Sequence, residues 1–340
     1  MRYPEFLNNN GTIGFVAPSY GCSTEPYKEC FENALRRFQG MGYNTELGPN
    51  CFLGEGIGIS NTPKACGEEL TKYYCADTND VLISCGGGEL MCETLDYVDF
   101  EKVKNAKPKW YMGYSDNTNF TFLLTTICDT ASVYGPCAAS FGMEPLHESL
   151  KDALDTLAGK KSEFSGYDMW EKESFEDEEP LSPYNLTEQT KLVTVPEGKE
   201  IKMKGRLIGG CIDCLINLLG TNFDKVEDFC ERYKQDGIIW FLESCDLNPM
   251  SIRRALWQMK HAGWFKYVKG FLIGRPLCFG QEMLGMDQYK AVTGALEEFG
   301  VPIVMDIDLG HLPPMIPFVC GSVADVRVSN NDINIKLDLR

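Results

Sequence analysis

Apolar positions along the chain fall into two alternating patterns. Ile13-Gly14-Phe15-Val16-Ala17-Pro18, Val81 to Ser84 and Trp110 to Gly113 are short unbroken apolar blocks, the signature of strands buried on both faces. Between them, Tyr27 to Met41 and Gly67 to Ala76 repeat their apolar residues at helical spacing, and the first of these runs closes at Gly42. Such alternation predicts an α/β domain with a parallel sheet covered by helices, whose functional loops gather at the carboxyl ends of the strands. The Ala17-Pro18-Ser19 turn, Gly86 and Ser115 would then share one edge.

Between about Ser149 and Thr194 the pattern dissolves into acidic and aromatic residues, including Trp170, Glu171, Glu173, Phe175, Glu176, Asp177, Glu178 and Glu179. This reads as a solvated connection, with Trp170 and Tyr184 as candidates for a lid. Strand-like blocks return at Gly205 to Ile208, Gly237 to Leu242, Gly270 to Gly274 and Pro302 to Asp306. Ser251 to Gly263 predicts a helix with Ser251 as its N-cap, and Val323 to Leu339 predicts two strands around Asn330-Asn331. The expected organisation is an α/β domain over residues 1–150, an excursion over 151–195 and a β-rich domain over 196–340, with a cleft between the domains.

Composition narrows the classes. The 340 residues carry a formal charge of −17, which argues against nucleic acid as a partner because phosphate binding needs clustered cations. No segment approaches the roughly 18 consecutive apolar residues of a membrane helix, and Met1-Arg2-Tyr3-Pro4-Glu5 lacks a signal peptide's regions, so the expected location is the cytoplasm. The 15 cysteines are scattered and odd in number, and with no export signal they read as reduced core residues. Cys211-x-x-Cys214 has no second ligand pair near it in sequence, so a zinc site is not expected.

The chain has only 3 histidines. His147 and His261 sit in ordinary contexts, whereas His311 lies in Asp308-Leu309-Gly310-His311-Leu312-Pro313-Pro314-Met315, a run with neither helical nor strand pattern. Two other segments break at a polar residue. The block Lys109 to Gly113 runs through Tyr114 to Ser115-Asp116-Asn117-Thr118, and Ile238 to Leu242 ends on Glu243. A serine needs a base to take its proton, and a buried carboxylate fixes the base's tautomer, so Ser115, His311 and Glu243 are the types a nucleophile, base and orienter require. A strand-to-helix turn at Ser115 would aim the N–H of Asp116 at a developing oxyanion, and Gly86-Gly87-Gly88 would supply a second donor. Taken singly, each has a plainer reading: helix cap, surface carboxylate, packed imidazole, tight turn. A phosphate loop is disfavoured by Glu89 and by the absence of Gly-Lys-Ser or G-x-G-x-x-G spacing.

Gly113-Tyr114-Ser115-Asp116, Leu207-Ile208-Gly209-Gly210, Phe241-Leu242-Glu243 and Gly310-His311, in this order and spacing, resemble the LD-carboxypeptidase family of serine peptidases over nearly the whole chain. The resemblance implies a flavodoxin-like N-terminal domain, a smaller β-rich C-terminal domain and a Ser-His-Glu triad at their interface. Ser115 is then the nucleophile, His311 the general base and Glu243 its orienter, with backbone N–H donors from Asp116 and from Gly87 or its neighbour. No metal or cofactor is implied, and a homodimer is. Substrates in the family are the L,D bond before the terminal D-alanine of cytoplasmic murein tetrapeptides, cleaved in cell-wall recycling, or, in the microcin C self-immunity branch, an aminoacyl or peptidyl nucleotide amide. The first is the leading expectation. His311-x-x-Pro314-Met315 and the Trp170 excursion resemble the second branch, where a loop aromatic stacks on the nucleotide base, so Trp170 is the candidate for that role if the substrate is a nucleotide, and Gly88 is a further candidate for substrate contact. Cys85 and Cys211 stand where arginine and asparagine are frequent in the family. A non-catalytic small-peptide binder is the rival from another class.

Overall fold

Short, wholly apolar strands cannot leave a face in water, and the chain covers them with helices. The computed structural model describes residues 1–176 and 178–340; Asp177, in the acidic stretch read as an excursion, lies outside the described residues. Two compact units result, Met1–Lys161 with Glu173–Asn185, and Ser162–Lys172 with Leu186–Arg340. The expected excursion over 151–195 is therefore divided between the units rather than standing apart.

The first unit contains β1 (Thr12–Val16), α1 (Tyr27–Gly40), β2 (Asn44–Leu47), α2 (Pro63–Cys75), β3 (Val81–Ser84), α3 (Met91–Thr94), α4 (Phe100–Asn105), β4 (Trp110–Gly113), α5 (Thr118–Thr126), β5 (Ser132–Tyr134) and α6 (Glu148–Leu157). Its strands lie in the order β2-β1-β3-β4-β5, all parallel, which is the flavodoxin-like arrangement. Helix α1 buries Cys30, Phe31, Ala34 and Phe38, one face of a helix at this spacing. On one side of the sheet Leu70, Tyr74, Leu82, Tyr111, Phe120 and Leu124 form a single apolar cluster. Strand β2, with the sequence Asn-Thr-Glu-Leu, carries no apolar pattern and owes its place to pairing with β1.

The second unit contains β6 (Glu163–Ser165), β7 (Met169–Glu171), β8 (Leu186–Gln189), β9 (Val193–Val195), β10 (Ile201–Cys211), α7 (Ile212–Leu218), α8 (Val226–Arg232), β11 (Ile238–Glu243), α9 (Pro249–His261), β12 (Val268–Gly274), α10 (Gln288–Leu296), β13 (Ile303–Ile307), β14 (Phe318–Cys320), β15 (Val323–Ser329) and β16 (Asp332–Asp338). Eight strands pair in the order β6-β16-β15-β10-β11-β12-β13-β9. The inner four are parallel, and antiparallel strands flank them on both sides. Strand β10 records that change of environment. Lys202 and Lys204 alternate outward where it pairs with β15, and from Gly205 onward every residue is buried. Helix α9 is capped by Asn248, whose side chain accepts from Ser251 N, so the cap lies three residues earlier than the expected Ser251.

Candidate active site

In the first unit the carboxyl ends of β1, β3 and β4 bring three loops together. Ser115 follows β4 at φ +61°, a left-handed conformation that a non-glycine residue adopts only where its surroundings impose it. Three hydrogen bonds hold this turn. Ser115 N donates to Tyr134 Oη at 3.1 Å, Tyr111 Oη donates to Asn117 Oδ1 at 2.6 Å, and Asn117 Nδ2 donates to Gly86 O at 2.9 Å. Asn117 thus ties the glycine loop after β3 to the serine turn after β4. Sequence reading did not single it out, because a buried amide in the first turn of a helix carries no pattern of its own.

A Cβ built on Gly87 would lie 3.5 Å from Ser115 Cβ and 3.6 Å from its Oγ, so Gly87 is the glycine that lies beside the serine. Gly88 serves another purpose. A Cβ there would meet Ser19 Oγ at 2.3 Å and Gly58 O at 2.7 Å, so its lack of a side chain lets neighbouring loops close. Gly88 is thus required for loop packing, while it keeps part of its surface accessible.

Asp116 is almost wholly buried and acts as a staple. Its Oδ2 accepts from Ser19 Oγ at 2.6 Å and from Met91 N at 2.9 Å, while Oδ1 accepts from Asn119 Nδ2 at 3.0 Å. Burial pushes its carboxyl up to about 6, although these hydrogen bonds oppose the shift. The staple anchors the residue whose backbone N–H was expected to face an oxyanion.

In the second unit Glu243 ends β11 and His311 lies in the loop after β13, both at the carboxyl edge of the parallel strands. His311 Nδ1 and Glu243 Oε2 are 2.8 Å apart, and the Glu243 side chain is fully buried. Gly310, at φ +100°, makes the approach possible, since a Cβ there would fall 2.6 Å from Glu243 Oε2. Burial by itself would push the imidazole below its ordinary value, but the Glu243 charge and hydrogen bond, together with the adjacent Cys245 side chain, raise it well above. An imidazole oriented through Nδ1 by a buried carboxylate leaves Nε2 as the atom for proton exchange.

The other histidines are structural. His147 caps α6, accepting from Ser149 N, and packs edge-on against Tyr184; His261 packs tilted against Trp257, with 4.4 Å between centroids. Trp170 is not the exposed loop aromatic its sequence context suggested. It sits in β7 at 3% exposure, donates Nε1 to Gln189 O at 3.3 Å and packs against Phe279. A ring buried this far has no free face for a stacking base. All fifteen cysteines carry free thiols, and Cys85, Cys128 and Cys230 are buried as expected. Among the described residues, no cluster of three or more His, Cys, Asp or Glu side chains is arranged to hold a metal ion, and no helix is long and apolar enough to cross a membrane.

The chain thus combines a flavodoxin-like α/β unit, with its left-handed serine turn, and a β-rich unit with a buried Glu-His pair. Residues 13–135 match the LD-carboxypeptidase N-terminal domain and residues 204–326 match the LD-carboxypeptidase C-terminal domain. The chain belongs to the LD-carboxypeptidase family. It is 25% identical over 339 residues to a Bacillus subtilis (strain 168) protein named "Probable murein peptide carboxypeptidase", covering 96% of this chain and 92% of that one. In three dimensions it resembles an MccF-like protein from Bacillus anthracis str. Ames, with a TM-score of 0.84 at 21% identity, covering 99% of this chain and 100% of that one. It also resembles the structure of MccF in complex with glutamyl sulfamoyl guanosine, with a TM-score of 0.83 at 21% identity, covering 99% of each chain.

Proposed function

We propose that this peptidase is a serine-type LD-carboxypeptidase acting through an acyl-enzyme, with Ser115 as nucleophile, His311 as base and Glu243 as orienter. The observation that carries the proposal is Ser115 itself, held left-handed at the end of a parallel strand beside Gly87. A nucleophile at a strand-to-helix elbow is held in this way, with its hydroxyl presented at the carboxyl end of a parallel sheet. In the proposed reaction Ser115 Oγ attacks the amide carbonyl while His311 Nε2 takes its proton. The oxyanion is met by the N–H groups of Asp116 and Gly87. His311 then returns the proton to the leaving amine, and water, activated by the same imidazole, releases the acyl group.

The substrate we propose is a murein tetrapeptide, cleaved before its terminal D-alanine. The name of the Bacillus subtilis relative supports this choice, and the burial of Trp170 weakens one of the two sequence features that favour a nucleotide, the other being His311-x-x-Pro314-Met315. The test is to incubate the protein with murein tetrapeptide and, separately, with an aminoacyl sulfamoyl adenosine, using Ser115→Ala as control and mass spectrometry to follow products. Release of D-alanine by the wild type alone is expected. Cleavage of the adenylate alone would replace the substrate and keep the mechanism. Neither reaction, together with no labelling of Ser115 by a serine-directed phosphonate, would make the protein a binder and overturn the proposal.

A further inference from the structure

His311 lies four residues beyond the end of β13, where no strand ladder holds it. Within the loop itself two backbone bonds form, Leu309 N to Ile307 O and Ile316 N to Asp308 O, each 2.9 Å. Neither reaches the histidine. A general base misplaced by about 1 Å loses on the order of a hundredfold in rate, so something else must fix this loop.

We infer that Arg275 is the positioning residue for His311, a buried guanidinium that spans the loop from both sides, held in turn by Trp170. The inference rests on His311 being the base of the proposed reaction. Arg275 directly follows the last residue of β12 and is 1% exposed. Its Nη1 donates to Asp306 O at 2.9 Å; its Nη2 donates to Asp308 Oδ1 at 2.6 Å and to Leu312 O at 3.4 Å. These acceptors bracket His311 in sequence, and a planar fork can meet all of them only in one orientation. Asp308 is equally buried, and its second oxygen accepts from Tyr167 N at 2.7 Å, so the anchor is itself fixed.

Arg275 Nε is buried and, among the described residues, has no hydrogen-bond partner. The guanidinium carbon lies 5.1 Å from the centroid of the Trp170 ring, so an aromatic face accompanies the unpaired N–H. The same strand reaches the loop a second time, because Glu171 N donates to Pro313 O at 2.8 Å. Trp170 therefore acts on every substrate alike, through Arg275 and the loop. A buried ion pair is poor evidence for stability, but fixing one geometry is a use to which such pairs are well suited.

Arg275→Lys keeps the charge and the burial but replaces the fork with a single ammonium. Trp170→Leu keeps both charges and removes the ring. For each variant, kcat and KM on the cleaved substrate are measured beside the NMR titration of the His311 ring, its signal assigned with His147→Gln and His261→Gln. Far-ultraviolet circular dichroism confirms the fold. Arg275→Lys is expected to lower kcat about a hundredfold with KM within about threefold, and to move the His311 titration toward the ordinary imidazole value as its contact with Glu243 loosens. Trp170→Leu is expected to do the same more weakly and equally on all substrates. Wild-type kcat and an unmoved titration in a folded variant would overturn the inference, as would a loss confined to KM. Should Arg275→Lys not fold, Trp170→Leu decides alone. Should the wild type turn over neither substrate, the proposed function falls, and the titration, which needs no substrate, still decides whether Arg275 positions His311.

Discussion

Replacing Glu243 by Gln keeps the shape of the side chain and removes its charge at a fully buried position 2.8 Å from His311 Nδ1. Two separable effects follow. A neutral amide can present its NH2 to Nδ1, which puts the ring proton on Nε2, the atom that must accept a proton from serine. Wrong tautomers of this kind cost about 10³ to 10⁴ in kcat. The second effect is on titration. In the native protein the Glu243 charge outweighs burial and raises His311 well above its ordinary value. A folded pKa above the unfolded one, about 6.5, adds stability that is complete below about pH 6.5 and is lost as pH rises through the folded value.

Without the carboxylate, burial dominates, so the acid limb of kcat/KM should move to lower pH while its plateau falls. A hydrogen bond to a charged group contributes about 1.5–3 kcal/mol, which is a drop of roughly 5–10 °C in Tm for a unit of this size. That drop should be largest below about pH 6.5 and should narrow as the pH rises above it. The assay is a pair of pH series, kcat/KM and Tm, for wild type and Glu243→Gln. Activity within tenfold of wild type, an acid limb at an unchanged pH, or a Tm difference that does not vary with pH would each refute the reasoning.

Ser115→Ala should abolish turnover and keep the backbone strain, whereas Ser115→Gly should abolish turnover and raise stability by about 1 kcal/mol, because glycine adopts φ +61° without penalty; thermal melts of the two variants check this. Gly87→Ala introduces a Cβ at ordinary contact distance from Ser115 Oγ, 3.6 Å, and should lower kcat about a hundredfold by occupying the space of the oxyanion, with Tm nearly unchanged. Gly88→Ala should do the opposite, since its Cβ would meet Ser19 Oγ at 2.3 Å and Gly58 O at 2.7 Å: a fall in Tm, with the kcat of the remaining folded protein largely kept, read by melting and active-site titration.

Much of the first unit was legible because its strands are wholly apolar and its helices amphipathic. β1, β3, β4 and α1 stand within a residue or two of their predicted bounds. Strands β2, β6 and β8 were not legible, because they are short, partly exposed and largely polar, and pairing with neighbouring strands holds them in place. The stretch read as a solvated excursion hid two anchors, Phe164 and Trp170, whose burial a local window full of charges does not reveal.

For the candidate site, residue types and loop positions made Ser115, Glu243 and His311 candidates, and the family resemblance gave them their proposed roles, since chemistry dictates which side chains can serve but not which of them meet. Tertiary structure decided everything that depends on distance. It set Gly87 beside the serine and Gly88 under a neighbouring loop, joined Glu243 to His311 across 68 positions of sequence, and turned Trp170 from a surface aromatic into a support for Arg275. Periodicity along a chain reports which face of an element is apolar. Which buried atom meets which other is set only when the strands pair and the loops between them close.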